Sequence, residues 1–147
     1  MLVGWAAAAF ADTCASYGAP VPVAEIGGSS IAEASGLAAS RTRDGVFFTH
    51  GDAGNPPVLA AFHVDGSLEG EHTVVDASNQ DWEDLLAAPC PDEGDCLYIG
   101  DIGDNDANRS SITVYVVREP RSGDEKIRAL ARYTAVYPDG PRDAEAL

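Results

Sequence analysis

Positive charge is what this sequence has least of. Nine lysines and arginines face 24 aspartates and glutamates, a formal net charge of −15 over 147 residues. Such a surface repels nucleic acid and anionic membranes, which sets both aside as partners, and it attracts cations. No apolar run approaches the ~20 residues that span a bilayer. A helix-rich composition is missing as well. Fifteen glycines and nine prolines are spread between short runs of Val and Thr, a pattern of strands and turns. The apolar share of 45% is ordinary, so the acidity is not that of a disordered tail. There is no Gly-x-Ser-x-Gly elbow, no P-loop and no Gly-x-Gly-x-x-Gly motif, which removes the common nucleophile and nucleotide signatures.

Cysteine is scarce, with three residues. Cys90 and Cys96 bracket Pro-Asp-Glu-Gly-Asp, a turn-like insert between two strand-like runs. Cysteines facing each other across such a loop reach disulfide distance. The competing reading, a zinc site, has a poor spacing and no histidine nearby. A disulfide points to an oxidising compartment, and Cys14 is left over. Residues 1–11 form an apolar block of signal-peptide length that closes on Ala9-Phe10-Ala11, with Asp12 opening the mature chain. The block has no basic n-region, and its alternative is a frayed N-terminal arm. No lipobox precedes Cys14. The expected location is secreted, periplasmic or cell-surface.

From residue 12 to residue 30 the chain reads as an extended lead-in with a short strand at 21–26. Four strands follow, at 31–40, 46–50, 58–64 and 72–76. The third alternates Val58, Ala60, Phe62 and Val64 on one face, and Asp65-Gly66 is a hairpin signal. A second set of four is expected at 84–88, 96–100, 112–117 and 130–136, with a charged turn over 118–126. The starts of the units echo one another. Glu33-Ala-Ser-Gly-Leu, Asp81-Trp-Glu-Asp-Leu and Asp143-Ala-Glu-Ala-Leu align as acid–x–polar–x–Leu. Two four-stranded units (31–80 and 81–142) and the start of a third (143–147) are the pattern of an all-β protein built as a β-propeller. Propellers close with about four to eight blades, so the chain reads as an N-terminal fragment. An eight-stranded β-sandwich, complete in itself, is the alternative.

Glu33-Ala-Ser-Gly-Leu-Ala-Ala-Ser, Phe48-Thr-His-Gly-Asp-Ala-Gly, Asp81-Trp-Glu-Asp, Tyr98-Ile-Gly-Asp-Ile-Gly-Asp-Asn and Pro141-Arg-Asp-Ala-Glu-Ala-Leu carry a resemblance. Over 31–147 the chain resembles a group of secreted bacterial β-propeller proteins. It is distantly similar to the six-bladed superfamily of gluconolactonase/regucalcin-like and NHL-repeat proteins. In lactonase-like relatives a calcium or other divalent ion sits in the central channel, held by acids and an Asn. Propellers host many activities, so the resemblance informs fold more than function.

The candidate site follows from the repeat. In a propeller the innermost strand of each blade lines the channel, and its first residues converge at one mouth. Glu33, Asp81 and Asp143 occupy equivalent places, with Glu83 and Glu145 two residues on, on the same face. Converging carboxylates call for a cation or a proton, and Ca²⁺ prefers oxygen ligands. The loop Asp101–Asn108 adds Asp101, Asp104 and Asn105. Its Asp104, Asp106 and Asn108 have the 1-3-5 spacing of a calcium loop. Arg109 and Tyr115 stand where an EF-hand needs Gly and Glu, so an Asx-rich turn competes. His50 and Asp52 form a candidate general-base pair, against the plainer reading of a bonded loop histidine. Trp82 is expected to pack between blades, with sugar stacking as a lesser role. The function expected is an extracytoplasmic binding or scaffold module for a ligand or protein, with a divalent cation at the channel mouth. The alternative is a metal-dependent hydrolase of the lactonase or phosphotriesterase type.

Overall fold

The computed structural model describes residues 16–27 and 31–147. The signal-peptide reading of 1–11, and Cys14, fall outside the described residues. Among those described there is no helix, so none is long and apolar enough to cross a membrane. The fold is all-β. Its strands are β1 (Ala34–Ala39), β2 (Val46–Gly51), β3 (Val58–His63), β4 (Leu68–Val74), β5 (Trp82–Pro89), β6 (Asp95–Asp101), β7 (Ile112–Arg118), β8 (Lys126–Ile127) and β9 (Ala129–Ala135).

Two open sheets result. The first has the order β1-β2-β3-β4-β8 and the second β5-β6-β7-β9. Within each, strands joined by turns pair antiparallel, as short polar loops require. Asp65-Gly66 makes the hairpin expected of it: Gly66 takes φ +83°, its N–H donates to His63 O at 2.8 Å, and Asp65 Oδ1 accepts from Ser67 N–H. The tightness of that turn lets β4 begin at Leu68 rather than at residue 72. The stretch expected as a charged turn, 118–126, carries the start of β8, whose Lys126 and Ile127 pair parallel with Thr73 and Val74 of β4. The strand expected at 21–26 does not form. These residues are extended and mostly exposed, and Pro20 and Pro22 have no N–H to give to a ladder.

The two sheets meet on their inner faces. Phe48, Leu59, Ala61 and Val74 of the first pack on Leu85, Leu97, Ile99 and Val117 of the second. Trp82 lies fully buried at the junction. Its indole N–H donates to Ser78 O at 2.9 Å, and its ring meets His50 edge-on at 5.5 Å and Tyr115 at 6.2 Å. Truncating so large a buried aromatic ordinarily costs about 3–5 kcal/mol. Trp82 is therefore a packing residue between the sheets, not a sugar platform.

Glu119 fastens the far end, with 3% of its side chain exposed. It accepts from Ser40 Oγ, Thr42 Oγ1 and the Arg41 N–H, tying the β1–β2 loop to the second sheet. Arg41 adds an ion pair to Asp95. Cys90 and Cys96 are joined in the expected disulfide, closing the β5–β6 loop.

Both sheets open on a bulged strand. The β1–β2 register shifts between Ser35 and Leu37, and the β5–β6 register between Trp82 and Asp84. In each case the carbonyl of the acid before the strand takes the first N–H beyond the partner strand: Glu33 O from Asp52, Asp81 O from Ile102. The first strands lie against each other, and Ser35 Oγ donates to Glu83 O at 2.9 Å across the gap.

Candidate metal centre

Three carboxylates converge where the two bulged strand starts meet. Asp52 follows β2, Asp81 precedes β5, and Glu83 sits in the β5 bulge. One oxygen from each lies within 4.8 Å of the others. Oxygens this close can reach one calcium ion, whose Ca–O distances of about 2.3–2.6 Å allow ligand separations up to about 4.6–5.2 Å.

The backbone around them is fixed by polar contacts. Asp81 N–H donates to Asp101 Oδ1 at 3.1 Å, and Asp81 O accepts from Ile102 and Gly103. Asn79 binds the two loops together, giving its amide hydrogens to Gly51 O and Asp52 O while Oδ1 accepts from Trp82 N–H. Gly103 leaves the space the acids occupy. A Cβ there would lie 2.5 Å from Asp81 Oδ2 and 2.5 Å from Glu83 Oε1.

Asp81 is the least comfortable of the three. Only 6% of it is exposed, and its Oδ1 has no hydrogen-bond donor. Oδ2 has the long contact from Asn105 Nδ2, at 3.4 Å. Burial, then the charge of Asp52, pushes its carboxyl above the usual range. Glu83 is pushed up to about 7, first by burial and then by the charges of Asp52, Glu145 and Asp81. Both shifts have one origin: negative groups drawn together out of water with nothing positive among them.

Comparison with known proteins adds no relative: no family model, no curated protein and no solved structure matches the chain. The reading of the site therefore rests on its geometry.

The other expected ligands divide into near and spent. Asp143 and Glu145 are near: Asp143 Oδ1 accepts Asp104 N–H at 2.7 Å, and Glu145 is close enough to Glu83 to raise its pKa. Asn105 is on the rim. Asp101 is spent, since it holds Asp81 N–H and pairs with Arg109 at 2.9 Å. Asp104 is spent too, accepting Asn108 N–H and Arg109 N–H at 2.9 Å each, so its loop is the Asx-type turn and not a calcium loop. Glu33 is exposed and contributes its backbone carbonyl, not its carboxylate, to the junction. His50 is no solvent-facing base. It is 0% exposed, its Nδ1–H donates to Gly51 O at 3.1 Å, and burial lowers its pKa. Gly36 accommodates it: a Cβ at Gly36 would meet His50 Nε2 at 2.5 Å.

Asp52 is the member of the cluster that the sequence places elsewhere, as partner to His50. β2 ends at Gly51, so Asp52 stands past the strand and turns to the cluster, while His50, two residues back and still in the ladder, is buried against Trp82. Asn79 and Gly103 went unnoticed. Gly103 carries the only available hint, as a small residue amid Asp101, Asp104 and Asn105.

Proposed function

We propose that the chain is a β-propeller module, extracytoplasmic and of binding or scaffold type, that holds a divalent cation between Asp52, Asp81 and Glu83. The observation that carries the cation is the Asp81 carboxylate, which is buried, has no donor to its Oδ1 and is grouped with two further carboxylates. An all-oxygen, carboxylate-rich set of this span suits Ca²⁺. The propeller reading is supported by the paired bulges, by the matching Glu33–Asp52 and Asp81–Ile102 contacts, and by the first strands lying side by side. The disulfide agrees with an oxidising compartment.

Calcium titration followed by thermal melting tests the cation. Calcium at 100 times Kd should stabilise the fold by about 2.7 kcal/mol, and Asp81→Asn should abolish the shift. An unchanged melting curve at millimolar calcium would sink the site.

A second reading has one observation in its favour. A cleft of about 170 Å³ opens beside Asp81, lined by Gln80, Asn105, Asp106 and Asn108. A cation there would meet a small ligand, as in metal-dependent lactone or phosphotriester hydrolysis. Lactone and phosphotriester turnover that EDTA abolishes would favour this reading over a binding role.

A further inference from the structure

The segment 141–147 reaches the carboxylate cluster with little to hold it there. Asp143 Oδ1 accepts Asp104 N–H at 2.7 Å, Leu147 N–H donates to Asp84 Oδ2 at 2.8 Å, and the Leu147 side chain lies over Gly100. The segment forms no strand, and most of its residues are exposed. Charge opposes these few contacts. Docking brings Glu145 beside Glu83 and Asp143 towards Asp81, so that with Asp52 the place gathers five carboxylates, and Asp84 adjoins them. The nearest basic side chains are committed elsewhere, Arg109 to Asp101 at 2.9 Å and Arg142 to Asp139 at 2.6 Å. Like charges brought together in this way repel unless a cation or a proton joins them.

We infer that docking of 141–147 depends on the cation. A divalent ion held by Asp52, Asp81 and Glu83 offsets the repulsion felt by Asp143 and Glu145 and clamps the segment, and removing the ion releases it. The inference rests on the cation-site reading above. It differs from it in consequence: the ion controls whether a specific stretch of chain is attached.

Hydrogen exchange on the full chain, in calcium chloride and in EDTA, reads the docking directly, with calorimetry in parallel to read calcium binding. Calcium should slow exchange across 141–147 and at the Asp104 amide by about tenfold or more, as expected when a local opening is suppressed. The double variant Asp143→Asn/Glu145→Gln keeps an acceptor for Asp104 N–H but removes the repulsion, and its segment should stay protected in EDTA. If calorimetry detects no calcium binding, the cation site and this inference fall together. If calcium binds but exchange at 141–147 is the same in both buffers, the inference is overturned while the site stands. A double variant that exchanges in EDTA as fast as the wild type would likewise overturn it.

Discussion

Ser35 and Glu83 join the two sheets at the mouth of the carboxylate cluster. The Ser35 hydroxyl donates to the Glu83 carbonyl at 2.9 Å and reaches its Oε2 at 3.4 Å. Its one hydrogen ties down the β5 bulge through the carbonyl, and the hydroxyl lies beside the carboxylate that the bulge presents. Ser35→Ala should cost about 1 kcal/mol in urea unfolding and weaken calcium binding. A variant with wild-type calcium affinity would show that Glu83 is positioned by other contacts.

Glu83 makes stability depend on pH in the absence of a cation. Its folded pKa of about 7 lies above the model value of 4.5. The folded chain therefore holds this proton more tightly than the unfolded chain does. Its contribution is complete below 4.5 and is lost as pH rises through about 7. Urea midpoints in EDTA should fall across that window, and Glu83→Gln should flatten this part of the slope. With calcium present the trend reverses, because ion and proton compete for the same oxygens, and calcium affinity should rise with pH.

Gly103→Ala separates site from fold. The added methyl would sit 2.5 Å from Asp81 Oδ2 and Glu83 Oε1, the movable ends of two side chains, and the backbone is not in a left-handed conformation there. The carboxylates should swing apart while the sheets hold. Calcium affinity should drop by about 10–100-fold, the usual scale when groups that orient ligands are disturbed. Calorimetry and circular dichroism on the same sample distinguish this from unfolding.

The Cys90–Cys96 bridge closes a short loop far from the carboxylates. Loop-closure entropy gives such a link about 2 kcal/mol. The Cys90→Ala/Cys96→Ala variant should lose that much stability and keep its calcium affinity. A loss of affinity would connect the two ends of β5.

Strand content was legible in the sequence because β-branched runs and turn chemistry are local, and Asp65-Gly66 needs no partner to be recognised. The one-faced alternation expected over Val58, Ala60, Phe62 and Val64 is not there: Val58 to Phe62 are all buried, so both faces of β3 are covered, and Val64 is exposed beyond the strand's end. The disulfide was legible for the same reason, its two cysteines flanking one turn. β8 was not, because a two-residue strand exists only by virtue of β4, far away in the chain. The site was half legible. Asp81 and Glu83 stood out as repeated acids, but Asp101 and Asp104 looked equivalent to them. What separates the two pairs is Arg109 and the loop amides, which claim Asp101 and Asp104. Asp52 was read only with His50, two residues before it, because nothing local shows that β2 ends at Gly51 and leaves Asp52 beyond the strand, beside Asp81 and Glu83.

The parallel pairing of β8 with β4 has a consequence for how the chain is made. The edge of the first sheet is finished by residues that lie between β7 and β9. A nascent chain therefore exposes β4 as a bare edge until Lys126 and Ile127 have left the ribosome, after the strands β5 to β7 are already available. The β4 edge of the first sheet is thus completed only after three strands of the second have been made.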